Sequence, residues 1–146
     1  MTKPAELVAA AKAAARHAYA PYSGFHVGAA LLLDDGSIVT GANFENASYG
    51  MTLCAETVAS AKANSDGQMR RIVAIAVAGG PKANDGGATI GAIAITPCGR
   101  CRQVIKEVAD ETGIDLPVHC ARDGGHDTHL LSELLPHGFG PASLKG

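Results

Sequence analysis

The sequence predicts an α/β domain with three layers (α-β-α), in which helices cover both faces of a mixed sheet of about five strands. Two observations support this prediction. The chain has 146 residues, close to the usual size of one domain, so residues 1–146 are expected to fold as a single unit. Segments with helical and strand periodicity alternate in the order α-β-β-α-β-β-α-β, which is typical of a sheet covered by helices.

The first elements are a helix and a hairpin. Residues 4–19 place apolar side chains at three- and four-residue spacings, which predicts an amphipathic helix that ends before Pro21. Two apolar runs, 27–33 and 37–43, flank an Asp-Asp-Gly turn at 34–36. An apolar run, a glycine-containing turn and a second run predict a β-hairpin.

The middle of the chain predicts a buried helix and two buried strands. Residues 54–63 are rich in alanine and indicate a short helix. Residues 72–78 and 92–96 are short, β-branched and nearly free of charge, as buried strands are. The glycine-rich connection 79–87 lacks the Gly-Lys-Ser/Thr ending of a phosphate-binding loop, so a surface loop is favoured there.

The last third of the chain predicts a helix over 97–110 that ends before Gly113. It also predicts a strand over 116–121 and a short helical turn over 130–135. The stretch 126–129 contains two histidines three residues apart. It follows a Gly-Gly pair and is polar, so a solvated loop is favoured over a second metal site.

Composition and charge exclude several classes of protein. Twelve basic and 14 acidic side chains leave a net charge of −2, which argues against a basic nucleic-acid surface. No apolar run approaches the roughly 18 to 20 residues that a membrane span needs, so no membrane partner is expected. The first 20 residues carry Glu6 and do not resemble a signal peptide. The expected location is therefore cytoplasmic.

Four cysteines are the main candidates for chemistry: Cys54, Cys98, Cys101 and Cys120. In a reducing compartment, metal ligation or redox chemistry is favoured over structural disulfides. Cys98 and Cys101 are three apart at a helix start, where they share one face and can bind a single ion. Cys54 would complete three ligands and leave the fourth site open, as in catalytic zinc sites. Cys120 is weighed as a fourth ligand, but a buried thiol is favoured.

Glu56 lies two residues after Cys54. A hydrolytic metal site needs a proton acceptor, and a structural site does not. The alternative role for Glu56 is a favourable interaction with the helix dipole. Two other interpretations remain open: a dithiol oxidoreductase using Cys98 and Cys101, which leaves Cys54 and Glu56 unexplained, and a zinc-stabilised binding module.

Five blocks of the sequence resemble the zinc-dependent cytidine deaminases of the cytidine/deoxycytidylate deaminase superfamily, and in particular their small homotetrameric class. The blocks are YSGFHVGAA (22–30), NFENASY (43–49), CAE (54–56), PCGRCRQ (97–103) and LLPHGFGP (134–141). They occur in the family's order and extend over nearly the whole chain. A cysteine at position 54, where nucleotide and nucleic-acid deaminases usually have histidine, indicates the branch acting on free nucleosides.

The resemblance implies zinc-dependent hydrolysis of cytidine and deoxycytidine to uridine and deoxyuridine with release of ammonia, a reaction of pyrimidine salvage. One zinc ion per subunit would be held by Cys54, Cys98 and Cys101, and Glu56 would carry the proton from water to the base and the departing amine. A modified cytosine nucleoside such as blasticidin S is an alternative substrate.

The resemblance also implies the nucleoside contacts. Asn43 and Glu45, which share one face of an extended segment, would hold the ribose 3′-hydroxyl. Phe25 would pack against the nucleoside, and the backbone of Ala47 and Ala55 would contact the base. These five positions are therefore expected to surround one pocket.

Two further residues, Tyr49 and Phe139, would be supplied across a subunit interface in a homotetramer whose sites are completed by neighbouring subunits. The sequence departs from the family at Thr57, where many members have arginine, and at His26, where proline is frequent. Because three thiolates on Zn²⁺ leave a net charge of −1, we expect the Thr57 hydroxyl or a nearby arginine to donate to a cysteine sulfur.

Overall fold

The computed structural model describes residues 2–146. Its elements are α1 Pro4–Ala14, β1 Phe25–Leu33, β2 Ile38–Ala42, α2 Ala55–Ser65, β3 Ile72–Pro81, α3 Gly99–Thr112, β4 Pro117–Arg122, β5 Gly125–Leu130 and α4 Leu131–Leu134. The strands form one five-stranded sheet in the order β2-β1-β3-β4-β5. β3 pairs parallel with β4, whereas the other neighbours are antiparallel, so the predicted mixed sheet of an α/β fold is confirmed.

Two apolar clusters lie on opposite faces of the sheet. Successive residues of β1 alternate between them: Ala29 and Leu31 belong to the cluster that contains α2 and α3, and Ala30 belongs to the cluster that contains α1. This two-residue period is that of a strand buried on both faces. The helices therefore form the outer layers that the sequence predicts.

Two glycines set how closely helices approach the sheet. A β-carbon on Gly28 of β1 would lie 2.0 Å from the carbonyl oxygen of Ala11 in α1. A β-carbon on Gly41 of β2 would lie 2.5 Å from the amide nitrogen of Ala59 in α2. At both positions the backbone of the strand packs directly against the backbone of a helix.

The strand predicted over 92–96 is wrong. β3 already pairs with β1 along one edge and β4 along the other, so no free edge remains beside it. The segment forms no regular secondary structure, and Ile95 packs over Gly79 of β3. The fifth strand is β5 instead, so the solvated loop predicted over 126–129 is also wrong. An edge strand with exposed residues tolerates this polar sequence.

Helix boundaries differ slightly from the prediction. The α-helical part of the first helix ends at Ala14, and a 3₁₀ turn, Ala15–His17, follows it. α3 begins at Gly99, so Pro97 precedes the helix. Within residues 2–146, no helix has the length and apolar character that crossing a membrane requires.

Candidate active site

Three sulfur atoms meet where two helices begin. Cys54 is the N-cap of α2, Cys98 is the N-cap of α3, and Cys101 lies in the first turn of α3. Their Sγ atoms all lie within 4.8 Å of one another. The structure thus brings together the three cysteines that the sequence predicts as ligands.

The geometry of this cluster fits zinc. Tetrahedral zinc with Zn–S bonds of about 2.3 Å places its sulfurs about 3.8 Å apart. The Sγ atoms of Cys54 and Cys98 are separated by 3.7 Å. Three thiolates from one chain leave one tetrahedral position for another ligand, and Cys54 and Cys98 line an adjacent cavity. The donor set therefore suits a catalytic rather than a closed structural zinc site.

The thiols influence one another's protonation. Hydrogen bonding from the Cys101 and Cys98 thiols and the charge of Arg100 lower the pKa of Cys54 to about 6, against the opposing effect of burial. The pKa of Cys101 is raised because its thiol donates to Cys54 and because it is buried. One thiolate is thus already favoured at neutral pH, and a divalent cation would displace the remaining protons.

Thr57 supplies a polar side chain beside the sulfurs. Its Oγ1 lies 3.5 Å from Sγ of Cys101, within hydrogen-bond reach of sulfur. The contact places Thr57 where its hydroxyl can donate to a cysteine thiolate, as expected. Arg100 and Arg102 direct their guanidinium groups elsewhere, to the carbonyl of Thr52 and to the segment before Cys98.

Glu56 is a buried carboxyl beside this cluster. It is the second residue of α2 and only 4% exposed. Burial, and secondarily the charge of Cys54, raise the pKa of Glu56 to about 7. A carboxyl with a pKa near neutrality can both accept and donate a proton, as a general acid-base residue must.

A cavity of about 260 Å³ opens beside the sulfurs and Glu56. Of the expected nucleoside contacts, Phe25, Asn43 and Ala55 line it. Six other wall residues were not among the predicted contacts: Val27, Thr52, Leu53, Val77, Ile95 and Thr96. Three of them had a local signal, because Val27 lies within the block 22–30 and Leu53 and Thr96 directly precede the two cysteine motifs. A larger cavity of about 760 Å³ lies at the C-terminal end of α3, away from these groups.

Asn43 binds the backbone at the start of β1, and Glu45 binds the segment that leads into it. The Asn43 side chain accepts a hydrogen bond from the amide of Val27 and donates one to the carbonyl of Phe25, each 2.9 Å long. Glu45 accepts hydrogen bonds from the backbone amides of Tyr22 and Ser23, at 3.0 and 3.1 Å, and from the Ser23 hydroxyl. These bonds fix the position of Phe25. Glu45 itself lies off the cavity wall.

The other three expected contacts also lie away from this chain's own cavity wall. Tyr49 is 74% exposed and packs edge-on against Tyr22. Phe139 is 58% exposed, and its carbonyl accepts a hydrogen bond from Gln103. Ala47 is exposed on the surface.

Cys120 and His26 are buried side chains whose contacts belong to the packing of the fold. Cys120 is fully buried in β4, packs with Val77 and Val118, and lies outside the sulfur cluster. The prediction of a buried thiol is confirmed. His26 is also buried, and its Nδ1 lies 2.8 Å from the carbonyl oxygen of Gly86, so it holds the 82–88 loop against β1.

Comparisons with known proteins agree with this geometry. A sequence model of the family described as "Cytidine and deoxycytidylate deaminase zinc-binding region" matches residues 1–114. A cytidine deaminase of Halalkalibacterium halodurans is 46% identical over 123 residues, covering 84% of this chain and 83% of the relative. A cytidine deaminase of Mycobacterium tuberculosis is 45% identical over 128 residues, covering 87% and 82%. The crystal structure of cytidine deaminase from Burkholderia pseudomallei superposes with a TM-score of 0.79 at 42% identity, covering 95% of this chain and all of that one.

Proposed function

The chain belongs to the cytidine and deoxycytidylate deaminase family, and from this premise we propose that it hydrolyses free cytidine and deoxycytidine to uridine and deoxyuridine, releasing ammonia. Such a reaction serves pyrimidine salvage. The observation that carries the proposal is the cluster of Cys54, Cys98 and Cys101 beside the buried carboxyl of Glu56, at the wall of one cavity.

The cofactor is one zinc ion per subunit, held by Cys54, Cys98 and Cys101. When bound, zinc supplies Lewis-acid activation of water. The two helix N-termini at Cys54 and Cys98 direct partial positive charge at the sulfurs, which offsets part of the negative charge of three thiolates.

Glu56 is the proton carrier in this proposal. It takes a proton from the attacking water and delivers it to N3 of the base. It then takes the second proton from the new C4 hydroxyl and gives it to the amino group, which leaves as ammonia while the C4 carbonyl forms. The pKa of about 7 suits both directions of transfer. Desolvation at 4% exposure is the physical cause of that pKa.

The cavity wall supports a nucleoside as the substrate. Phe25 offers an aromatic surface and Ala55 a small side chain that lets the base approach the backbone. We assign the ribose 3′-hydroxyl to Asn43, which lines the cavity, and, from the resemblance to the family, to Glu45, which lies off this chain's cavity wall. The Asn43 amide has a second N–H beyond the one given to Phe25, and the Glu45 carboxylate has lone pairs beyond those used by Tyr22 and Ser23.

A homotetramer would complete each cavity. Tyr49 and Phe139 are large, strongly exposed and outside this chain's cavity wall, and Ala47 is exposed two residues before Tyr49, so these residues suit a site shared with a neighbouring subunit. The cytoplasm is the proposed location, because all four cysteines are free thiols and a reducing compartment preserves them.

The direct test is a substrate panel with purified zinc-loaded protein. Cytidine, deoxycytidine, blasticidin S, CMP and a cytosine-containing oligonucleotide are incubated separately, and ultraviolet absorbance and ammonia are followed. We expect turnover of cytidine and deoxycytidine. Turnover of blasticidin S alone would assign the site to modified nucleosides, and zinc binding without turnover of any compound would indicate a binding module.

A further inference from the structure

The segment 92–97 forms part of the cavity wall without the support of regular secondary structure. It contributes Ile95 and Thr96 to the wall and leads directly into the zinc-ligand residue Cys98. Among residues 2–146, no backbone-to-backbone hydrogen bond of a turn, loop or bridge involves 92–97. The position of this segment therefore depends on side-chain contacts and packing.

Arg102 supplies such contacts. It directly follows Cys101 in α3 and is half-buried. Its Nε donates to the carbonyl of Pro97 at 2.7 Å, and its Nη2 donates to the hydroxyl of Thr96 at 2.8 Å. One guanidinium group thus holds a cavity-wall side chain and the carbonyl that precedes Cys98.

The same group is anchored on the other side. Nη1 of Arg102 donates to the carbonyl of Leu134, the last residue of α4, at 2.7 Å. α4 is itself fixed, because Leu131 is buried in the main core and Ser132 hydrogen-bonds Asp115. Arg102 therefore connects the irregular segment to a helix whose position is set independently.

We propose that Arg102 is a positioning residue, which sets the location of Thr96 and Cys98 and thereby the geometry of the sulfur cluster and the cavity wall. The kinetic part of this inference rests on the proposed function, and the metal-binding part does not. All three acceptors are neutral oxygens, and none of the ion pairs among residues 2–146 includes Arg102.

The role therefore depends on the direction of three donors rather than on charge. A guanidinium presents its N–H groups in a rigid planar fork, whereas a lysine ammonium is a point charge on a flexible stem. Arg102→Lys keeps the charge and loses the fork, and Arg102→Met keeps the bulk and loses both.

The matched control is Arg71. Its guanidinium also holds neighbouring segments, through contacts of 2.9 Å with both Asp34 and Asp35, but it lies outside the cavity wall and the cysteine cluster. Arg71→Lys and Arg71→Met thus report what the loss of a guanidinium does to stability alone.

The experiment measures four quantities in all five proteins: the zinc dissociation constant by competition with a chelator, kcat and KM for cytidine, and the melting temperature. Loss of residues that orient metal ligands typically lowers metal affinity about 10- to 100-fold, and we expect a loss of this kind in both Arg102 variants. KM for cytidine rises as well. The Arg71 variants keep the wild-type zinc affinity and KM, even where their melting temperatures fall equally.

Two outcomes overturn the proposal: an Arg102→Lys protein with the wild-type zinc affinity and KM, or Arg71 variants that lose zinc as readily as the Arg102 variants. If Arg102→Met does not fold, Arg102→Lys decides by itself. If the wild-type protein turns over no cytosine nucleoside, the proposed function fails. The zinc affinities of the variants still test the positioning role of Arg102 in that case.

Discussion

Thr57 Oγ1 and Cys101 Sγ lie 3.5 Å apart, and this contact places a hydroxyl beside the most buried of the three clustered sulfurs. A neutral hydroxyl offsets less thiolate charge than a cationic side chain would. The helix N-termini at Cys54 and Cys98 therefore carry a larger share of the compensation in this chain.

Replacing Thr57 by valine tests the hydroxyl without changing the side-chain shape. Because the Cys101 thiolate loses a donor, we expect zinc affinity to fall by about 10-fold, at the lower end of the effect of such partners. Thr57→Ser is the control and keeps the wild-type affinity. Chelator competition measures both, and equal affinities in the two variants would contradict the assignment.

Replacing Glu56 by glutamine removes the proton carrier while preserving the volume. We expect kcat for cytidine to fall by about 10²- to 10⁴-fold or more, the usual contribution of general acid-base catalysis, with zinc content unchanged. The exposed Glu107 of α3 provides a control, Glu107→Gln, with normal activity. A Glu56→Gln protein that retains more than a tenth of the wild-type kcat refutes the role.

The two buried cysteines should respond differently to alanine. Cys101→Ala is expected to lose stoichiometric zinc, because it removes one of three ligands. Cys120→Ala keeps one zinc per chain and costs about 1 kcal/mol of unfolding free energy, since it removes one buried heavy atom from the core. Metal analysis and urea unfolding separate the two effects. Loss of zinc in Cys120→Ala would make Cys120 a ligand.

Glu45 should stabilise the fold in a pH-dependent way. The Ser23 hydroxyl and the backbone amides of Ser23 and Tyr22 donate to its carboxylate and hold the pKa of Glu45 below its ordinary value of 4.5. The stabilisation is therefore present above that ordinary value and is lost as the pH falls through the lower, folded-state pKa.

The comparison with Glu45→Gln isolates this effect from other carboxylates. Urea unfolding at a series of pH values should show wild type more stable than Glu45→Gln at neutral pH. The gap should shrink on acidification. A gap that stays constant down to the most acidic measurement contradicts the role of the Glu45 carboxylate.

Gly28 should be intolerant of a side chain. Alanine there would put a β-carbon 2.0 Å from the Ala11 carbonyl oxygen, so α1 must move away from β1. We expect a loss of about 1–3 kcal/mol or more in unfolding free energy, as for other overpacked sites. Gly91→Ala meets no atom within 4 Å and is the control. Thermal unfolding compares them, and equal stabilities would refute the close approach.

Much of the fold followed from the sequence because periodicity reports burial. The runs 27–33 and 72–78 are apolar on both faces and are central strands. The same logic mistook 92–96 for a strand, because apolar character was read as burial inside the sheet, whereas Ile93 is 87% exposed and Ile95 packs half-buried over Gly79. β5 escaped detection for the opposite reason, since an edge strand in solvent needs no apolar pattern.

The site residues fall into two groups: those that the local sequence predicts and those that only the tertiary fold brings together. The cysteines and Glu56 could be predicted because their spacing fixes them at helix starts, where local geometry decides their direction. The wall residues Val77 and Ile95 come from distant segments that only the tertiary fold brings together. No local pattern distinguishes them from other core residues. The hydrogen bonds of Asn43 to β1 and of Glu45 to the segment before β1 likewise depend on tertiary contacts.

The backbone contact between Gly41 and α2 has a consequence for redesigning substrate choice. Ala55 and Ala59 meet β2 without intervening side chains, so the helix that carries Glu56 has no room to move toward the sheet. A protein engineer who enlarges or shrinks the binding chamber should therefore leave the position of α2 unchanged. Substitutions at Val77 and Ile95 can reshape the chamber while the reactive carboxyl keeps its place.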